Sequence, residues 1–136
     1  MYETFEHTAD VGLRVRAPEL DTLFAEAGRG MFSIMVANLE AVRPIEAVQF
    51  ALEGEGVDVL LRSWLAELLY TFQVRRLLLS EFAPAVRPGG LTAIARGEPL
   101  DAARHQADIE IKAVTWHGLT VRREAEGWLA EVILDI

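Results

Sequence analysis

The sequence predicts an α+β domain, mainly antiparallel β-sheet with two main α-helices packed on it. Three observations predict this. Apolar residues recur at helical spacing in only two long stretches, and most of the remainder alternates apolar with polar residues as strands do. The strands are mostly joined by connections too short for a parallel crossover. A chain of 136 residues fits one domain and leaves no room for two ordinary ones.

The elements follow in order. Tyr2–His7 and Val11–Ala17 read as neighbouring strands, with Thr8-Ala9-Asp10 as the turn between them. In the second, Val11, Leu13 and Val15 alternate with Gly12, Arg14 and Arg16, the pattern of a half-buried strand. The first helix is expected over Leu20–Val36, where Leu23, Phe24, Ala27, Met31, Ile34 and Met35 form one stripe. Pro18 and Glu19 suit its start. Gly28 and Gly30 each cost about 1 kcal/mol relative to alanine in such a helix, so they are expected to mark close packing or a kink.

Ile45–Glu53 alternates again, with Val48, Phe50 and Leu52 on one side. The second helix is expected over Val57–Gln73. Its stripe of Leu60, Leu61, Trp64, Leu65, Leu68 and Leu69 is wide enough to lie across a sheet. Leu77–Val86 and Leu91–Ala95 flank Arg87-Pro88-Gly89-Gly90, a strong turn signal. Arg96–Arg104 reads as the one long irregular stretch. Ile109–His117, Leu119–Glu124 and Trp128–Asp135 are expected to form an antiparallel meander through turns at Gly118 and Glu126-Gly127.

Composition excludes several functions. There is no cysteine, which removes disulfides, thiolate zinc sites and cysteine nucleophiles, and a reducing compartment fits. The opening MYETFEHTAD has neither a basic nor an apolar leader segment, and no apolar run is long enough to span a membrane. A cytoplasmic protein is therefore expected. The net charge of −8 lacks the basic footprint of nucleic-acid binding. Val74-Arg75-Arg76 and Arg122-Arg123 are the only basic runs, and they read as solvated surface. Phosphate loops, nucleophile elbows and dinucleotide fingerprints are all missing.

The candidate chemistry is carboxylate. In the expected meander, His117 and Asp135 finish at one end of the sheet, and the α-carboxylate of Ile136 follows Asp135 directly. Asp10, in the turn of the first two strands, would complete three oxygen donors if that turn lies at the same end. Such donors suit a hard divalent cation, calcium first, with magnesium or manganese also suitable. Crowded carboxylates favour a compensating cation. His7, His105 and His117 are weighed as zinc ligands, but their spacing matches no zinc motif, and strand-end hydrogen bonding explains them as well. Lys112 reads as a mid-strand residue on the face of Glu110, Val114 and Trp116, with a snorkelling stem.

Taken together, these segments resemble the archease family. The opening YETFEHTADVGLRVRA, the LFAEAGRGMF helix, the VDVLLRSWLAELLYTF helix, IEIKAVTWHGLTV and the terminal WLAEVILDI resemble the family's blocks, in order and across nearly the whole chain. The resemblance implies an accessory protein of the RtcB-type RNA ligase of tRNA splicing and repair. Such a protein promotes guanylylation of the ligase and its multiple turnover, binds a divalent cation, and has no activity of its own. It implies metal ligands at Asp10, Asp135 and Ile136, and a functional lysine at Lys112. His7 and His117, beside the expected acid cluster, are carried as further candidates for partner activation. RNA would be met only through the ligase. Two other readings stand beside this one. The first is a stand-alone metal-dependent hydrolase using Asp10, Asp135, His7 and His117; the second is a chaperone-like binding module with merely solvated acids.

Overall fold

The computed structural model describes every residue except Thr8 and Ala9; Glu6 and His7 are described in their backbone only. The strands are β1 (Tyr2–His7), β2 (Asp10–Ala17), β3 (Glu46–Glu53), β4 (Leu77–Arg87), β5 (Gly90–Pro99), β6 (Ala113–Val114), β7 (Thr120–Glu124) and β8 (Gly127–Asp135). The helices are α1 (Leu20–Met35) and α2 (Val57–Arg75), with a short 3-10 turn at Leu39–Ala41. The α+β class, the antiparallel pairing and both helices stand as the sequence predicts.

The strands form two sheets. One runs β1-β2-β8-β6, with β7 also on β8; the other runs β3-β5-β4. Helix α1 packs against β2 of the first sheet and β4 of the second. It therefore buries more than one face, including Leu23, Phe24, Ala27, Met31, Phe32, Ile34 and Met35. Gly28 lies against Phe82 and Leu68, and Gly30 against Leu13 and Tyr2. The glycines mark close packing on both sides of α1 rather than a kink, because a Cβ at either site would press on a neighbouring side chain.

Helix α2 closes the core from the side. The Trp64 indole N–H donates to Phe24 O of α1 at 2.9 Å. Its ring stands edge-on to Phe50 of β3 and Phe82 of β4. The helix ends at Arg76, which takes the left-handed conformation at φ 52°. The β4–β5 hairpin turns where predicted, and Gly89 takes φ 80°, which a side chain would disfavour.

Three expectations are corrected. Asp10 is not a turn residue but the first residue of β2, where it pairs with His7 on one side and Asp135 on the other. Arg96–Arg104 is not uniformly irregular. Its first half continues β5 to Pro99, since β3 and β4 supply ladder partners on both sides.

The meander stands in its second half, where β7 and β8 form the expected hairpin, and fails in its first. Strand β6 is only Ala113–Val114, and it pairs with Asp135 and Leu134 of β8 rather than with β7. Both β6 and β7 are antiparallel to β8, on the edge that β2 leaves open. They therefore run in the same direction, one after the other. Residues before β6 are drawn aside by α1: Asp108 N–H donates to Met35 O at 2.9 Å, and Ile109 N–H to Ile34 O at 3.3 Å.

A candidate cation site at the β2–β8 end

Strands β2 and β8 are central neighbours in their sheet, and their register decides the site. Asp10, the first residue of β2, lies directly opposite Asp135, the last residue of β8. Directly opposite residues of an antiparallel pair point to the same face, with Cβ atoms about 5 Å apart. Both are half-buried. Like charges so placed oppose each other across the ladder, and positive charge between them relieves the repulsion.

Alternation puts Gly12 and Arg14 of β2, and Ile133 and Glu131 of β8, on the same face. Arg14 donates to Glu131 Oε2 from Nε at 2.9 Å and from Nη2 at 2.7 Å. It also reaches Glu3 at 3.3 Å. These acids hold the Arg14 guanidinium above its usual range.

Lys112 reaches this end by a route the sequence did not suggest. It precedes β6 instead of sitting mid-strand, and its backbone N–H donates to Asp135 O at 2.7 Å. Its carbonyl accepts from Gln73 Nε2 of α2 at 3.3 Å. The side chain is exposed, and among the described residues it forms no ion pair. Ile136 is half-buried and packs on the core.

His117 does not join the group. The chain beyond Val114 runs back along β8: Thr115 N–H donates to Ile133 O, and Thr120 then pairs with Glu131. His117 sits in the turn between those two levels, past the strand segment that faces Asp135. Its expected place came from pairing it with β7, and the reversal of β6 removes that. His7 pairs with Asp10 through the backbone, but its side chain lies outside the described residues. The hydrolase reading loses one of its two candidate bases.

His105 is elsewhere and is structural. It is buried, its Nδ1 accepts from Asp101 N–H at 2.9 Å, and its Nε2 therefore carries the proton and meets Glu98 Oε2 at 3.1 Å. Glu98 is the centre of that cluster. It is 4 % exposed and takes a two-pronged bond from Arg104 at 2.8 and 2.9 Å, with Arg43 N–H at 2.7 Å. The Arg104 bonds, then those of Arg43 and His105, outweigh the burial penalty and hold its carboxyl well below the usual carboxylate range. Sequence reasoning missed this cluster. The only signal was the density of charge in residues 96–105, which the loop reading absorbed.

Among the described residues, no three histidine, aspartate or glutamate side chains converge as a metal cluster. Two carboxylates opposite each other offer oxygen donors, which suit a hard cation and do not suit a soft one.

Comparison with known proteins sharpens the picture. A model described as the Archease protein family matches residues 2–136. A protein archease of Methanopyrus kandleri is 37% identical over 139 residues, covering 99% of this chain and 99% of that one. Its counterpart in Pyrococcus furiosus is 31% identical over 140 residues, covering 99% and 98%. A solution structure of a Methanobacterium thermoautotrophicum protein superposes with a TM-score of 0.84 at 30% identity, covering 99% and 98% of the two chains. The crystal structure of an archease from Thermotoga maritima, described as a possible chaperone, gives a TM-score of 0.68 at 18% identity, covering 100% and 98%. At that identity the likeness is one of fold alone.

Proposed function

The chain belongs to the archease family, and from that premise we propose that it is a cytoplasmic accessory protein of an RtcB-type RNA ligase in tRNA splicing and RNA repair. In this reading it promotes ligase guanylylation and multiple turnover, and it does no chemistry alone. The observation that carries the reading is the register of Asp10 opposite Asp135. It brings together, from the two ends of the chain, the two carboxylates that the family resemblance implies as metal ligands.

Asp10 and Asp135 would hold a divalent cation, with Ile136 supplying a main-chain oxygen. When bound, the cation supplies positive charge that offsets carboxylate repulsion here and phosphate charge on the ligase side. Calcium, magnesium and manganese all fit an all-oxygen donor set. Half-exposed ligands and few donors favour exchange over tight retention, which suits an accessory protein that presents an ion at a partner's active site. Lys112, tethered to Asp135 through the backbone, would offer its exposed ammonium to an anionic group of the ligase–nucleotide complex. The acidic balance raises encounter rates with a basic, RNA-handling partner. His7 and His117 would act at most on the partner, not as ligands.

The test is RNA ligation by the matching ligase under multiple-turnover conditions, with wild-type protein, Asp10→Ala and Asp135→Asn. Stimulation by wild type is expected, with a loss of about tenfold or more in the cation concentration response of each variant. Full stimulation by both variants would keep the partner and reject the acid site. Lys112→Ala is expected to lower the maximal stimulation while leaving cation affinity within about twofold, because the lysine is a point charge aimed at the partner and not a ligand.

A further inference from the structure

The β3-β5-β4 sheet buries Phe50, Leu91, Ala93 and Ala95 in the core and turns the alternate residues outward. Register sets these outward residues in four rows of three across β3, β5 and β4. The two middle rows are Gln49–Ile94–Ala83 and Ala51–Thr92–Ala85, and together they line one shallow concavity. All are exposed except Ile94, which is half-buried. An antiparallel sheet with one buried face ordinarily shows polar residues on the other. Here the middle of the open face carries no charge. Alanine is depleted in strands, so Ala51, Ala83 and Ala85 do little for the sheet itself. Their small side chains leave a flat surface that a second sheet can approach.

Charge is confined to the two end rows, Ala47–Arg96–Glu81 and Glu53–Gly90–Arg87. Among the described residues none of these four charged side chains forms an ion pair, although Glu81 and Arg96 stand opposite each other. Arg87 lies across Gly90, with Nη2 3.0 Å from where a Cβ would stand. Two positive and two negative charges therefore cancel on this face, on a chain of net −8. The border is mixed in sign as well. Glu46 pairs with Arg75 at 3.9 Å. Arg29 and Glu40 share a cleft with Glu81, and Asp21 accepts from Val86 N–H at 2.8 Å, next to Arg87.

This pattern is complementary to itself. A two-fold axis lying in the interface across the strands keeps β4 over β4 and reverses the order of the rows. Glu81 of each copy then faces Arg87 of the other, and Arg96 comes to the row that holds Glu53. The middle rows meet with Ala83 over Ala85 and Ile94 over Thr92. A two-fold along the strands would instead set Arg96 on Arg96, which like charge opposes. We infer that two copies of this chain associate through the outer face of β3-β5-β4 as an aligned sheet sandwich, exchanging Glu81–Arg87 pairs. Four rows of three are about half the patch of a standard interface, which takes roughly 20 to 30 residues a side. The dimer is therefore weak, half-formed at roughly 100 µM. It does not rest on the ligase-activator reading, because the acid end belongs to the other sheet.

Sedimentation equilibrium of the full chain, from about 10 µM to about 1 mM, is the test. Glu81→Arg and Arg87→Glu each place two like-charge pairs across the interface, and each is expected to weaken association by about tenfold or more. The double variant Glu81→Arg/Arg87→Glu re-forms both pairs with signs exchanged. So does an equimolar mixture of the two single variants. Both samples are expected to associate within about threefold of wild type. Thr92→Lys, which puts a charge into the middle rows, is expected to abolish the dimer. Thermal unfolding of each variant checks that the fold persists, and recovery on mixing checks the single variants independently. Wild type that stays monomeric throughout would overturn the inference. So would a dimer that survives Thr92→Lys, or single-variant defects that neither the double variant nor the mixture repairs.

Discussion

Replacing Trp64 with alanine is expected to lower the unfolding free energy by about 4 kcal/mol, within the range found for buried tryptophan. The residue is fully buried. Its ring centroid lies 5.4 Å from that of Phe50 and 6.3 Å from that of Phe82, both nearly perpendicular. These contacts join α2 to β3 and β4, while the indole N–H joins it to α1 through Phe24 O. No neighbour on those elements can collapse into the space without moving another, because the interior is close-packed. Trp64→Phe keeps most of the apolar burial and loses the hydrogen bond, so a cost of about 1–2 kcal/mol is expected. Denaturant unfolding followed by circular dichroism measures both. Equal losses for the two variants would show that the indole hydrogen bond, not the packing, holds the helices together.

Glu98→Gln should cost about 3 kcal/mol at neutral pH. Removing one partner of a buried ion pair leaves the other poorly compensated. Arg104 is partly exposed and recovers some solvation, which keeps the loss at the lower end of the usual range. The sign of its pH dependence follows from the depressed carboxyl. A group whose folded pKa lies below its unfolded value stabilises the fold fully above the unfolded value, about 4.3 for glutamate. That stabilisation is lost as pH falls from there towards the folded value. Wild type should therefore exceed Glu98→Gln most at neutral pH, with the gap closing as pH falls below about 4. A gap independent of pH would mean that Glu98 acts through shape and not through charge. The cluster ties β5 to the 3-10 turn at Leu39–Ala41, through Arg104 donating to Ala41 O, and to Arg43, so its loss should loosen that end of the three-stranded sheet first.

Much of the fold was legible in the residues. Helical spacing located α1 and α2 to within two residues at each end, and Arg87-Pro88-Gly89-Gly90 located the β4–β5 turn. The period of two identified the inward residues of β2 and β3. All of these are local signals, written in residues a few positions apart. The acids were legible as residue types near the two ends of the chain, and the family resemblance singled them out.

What the sequence alone determined is therefore which segments become helix or strand, and which residue types stand near the two ends of the chain. Tertiary structure decided how those segments pair. Only it brought Asp10 from a supposed turn into the ladder opposite Asp135, reversed β6 so that Lys112 and not His117 meets that end, and drew Glu98, Arg104 and His105 into one buried cluster. The physical reason is that strand pairing joins residues far apart in the chain. Its choice among edges and directions depends on which backbone groups elsewhere remain without partners and on how the helices fill the space between the sheets.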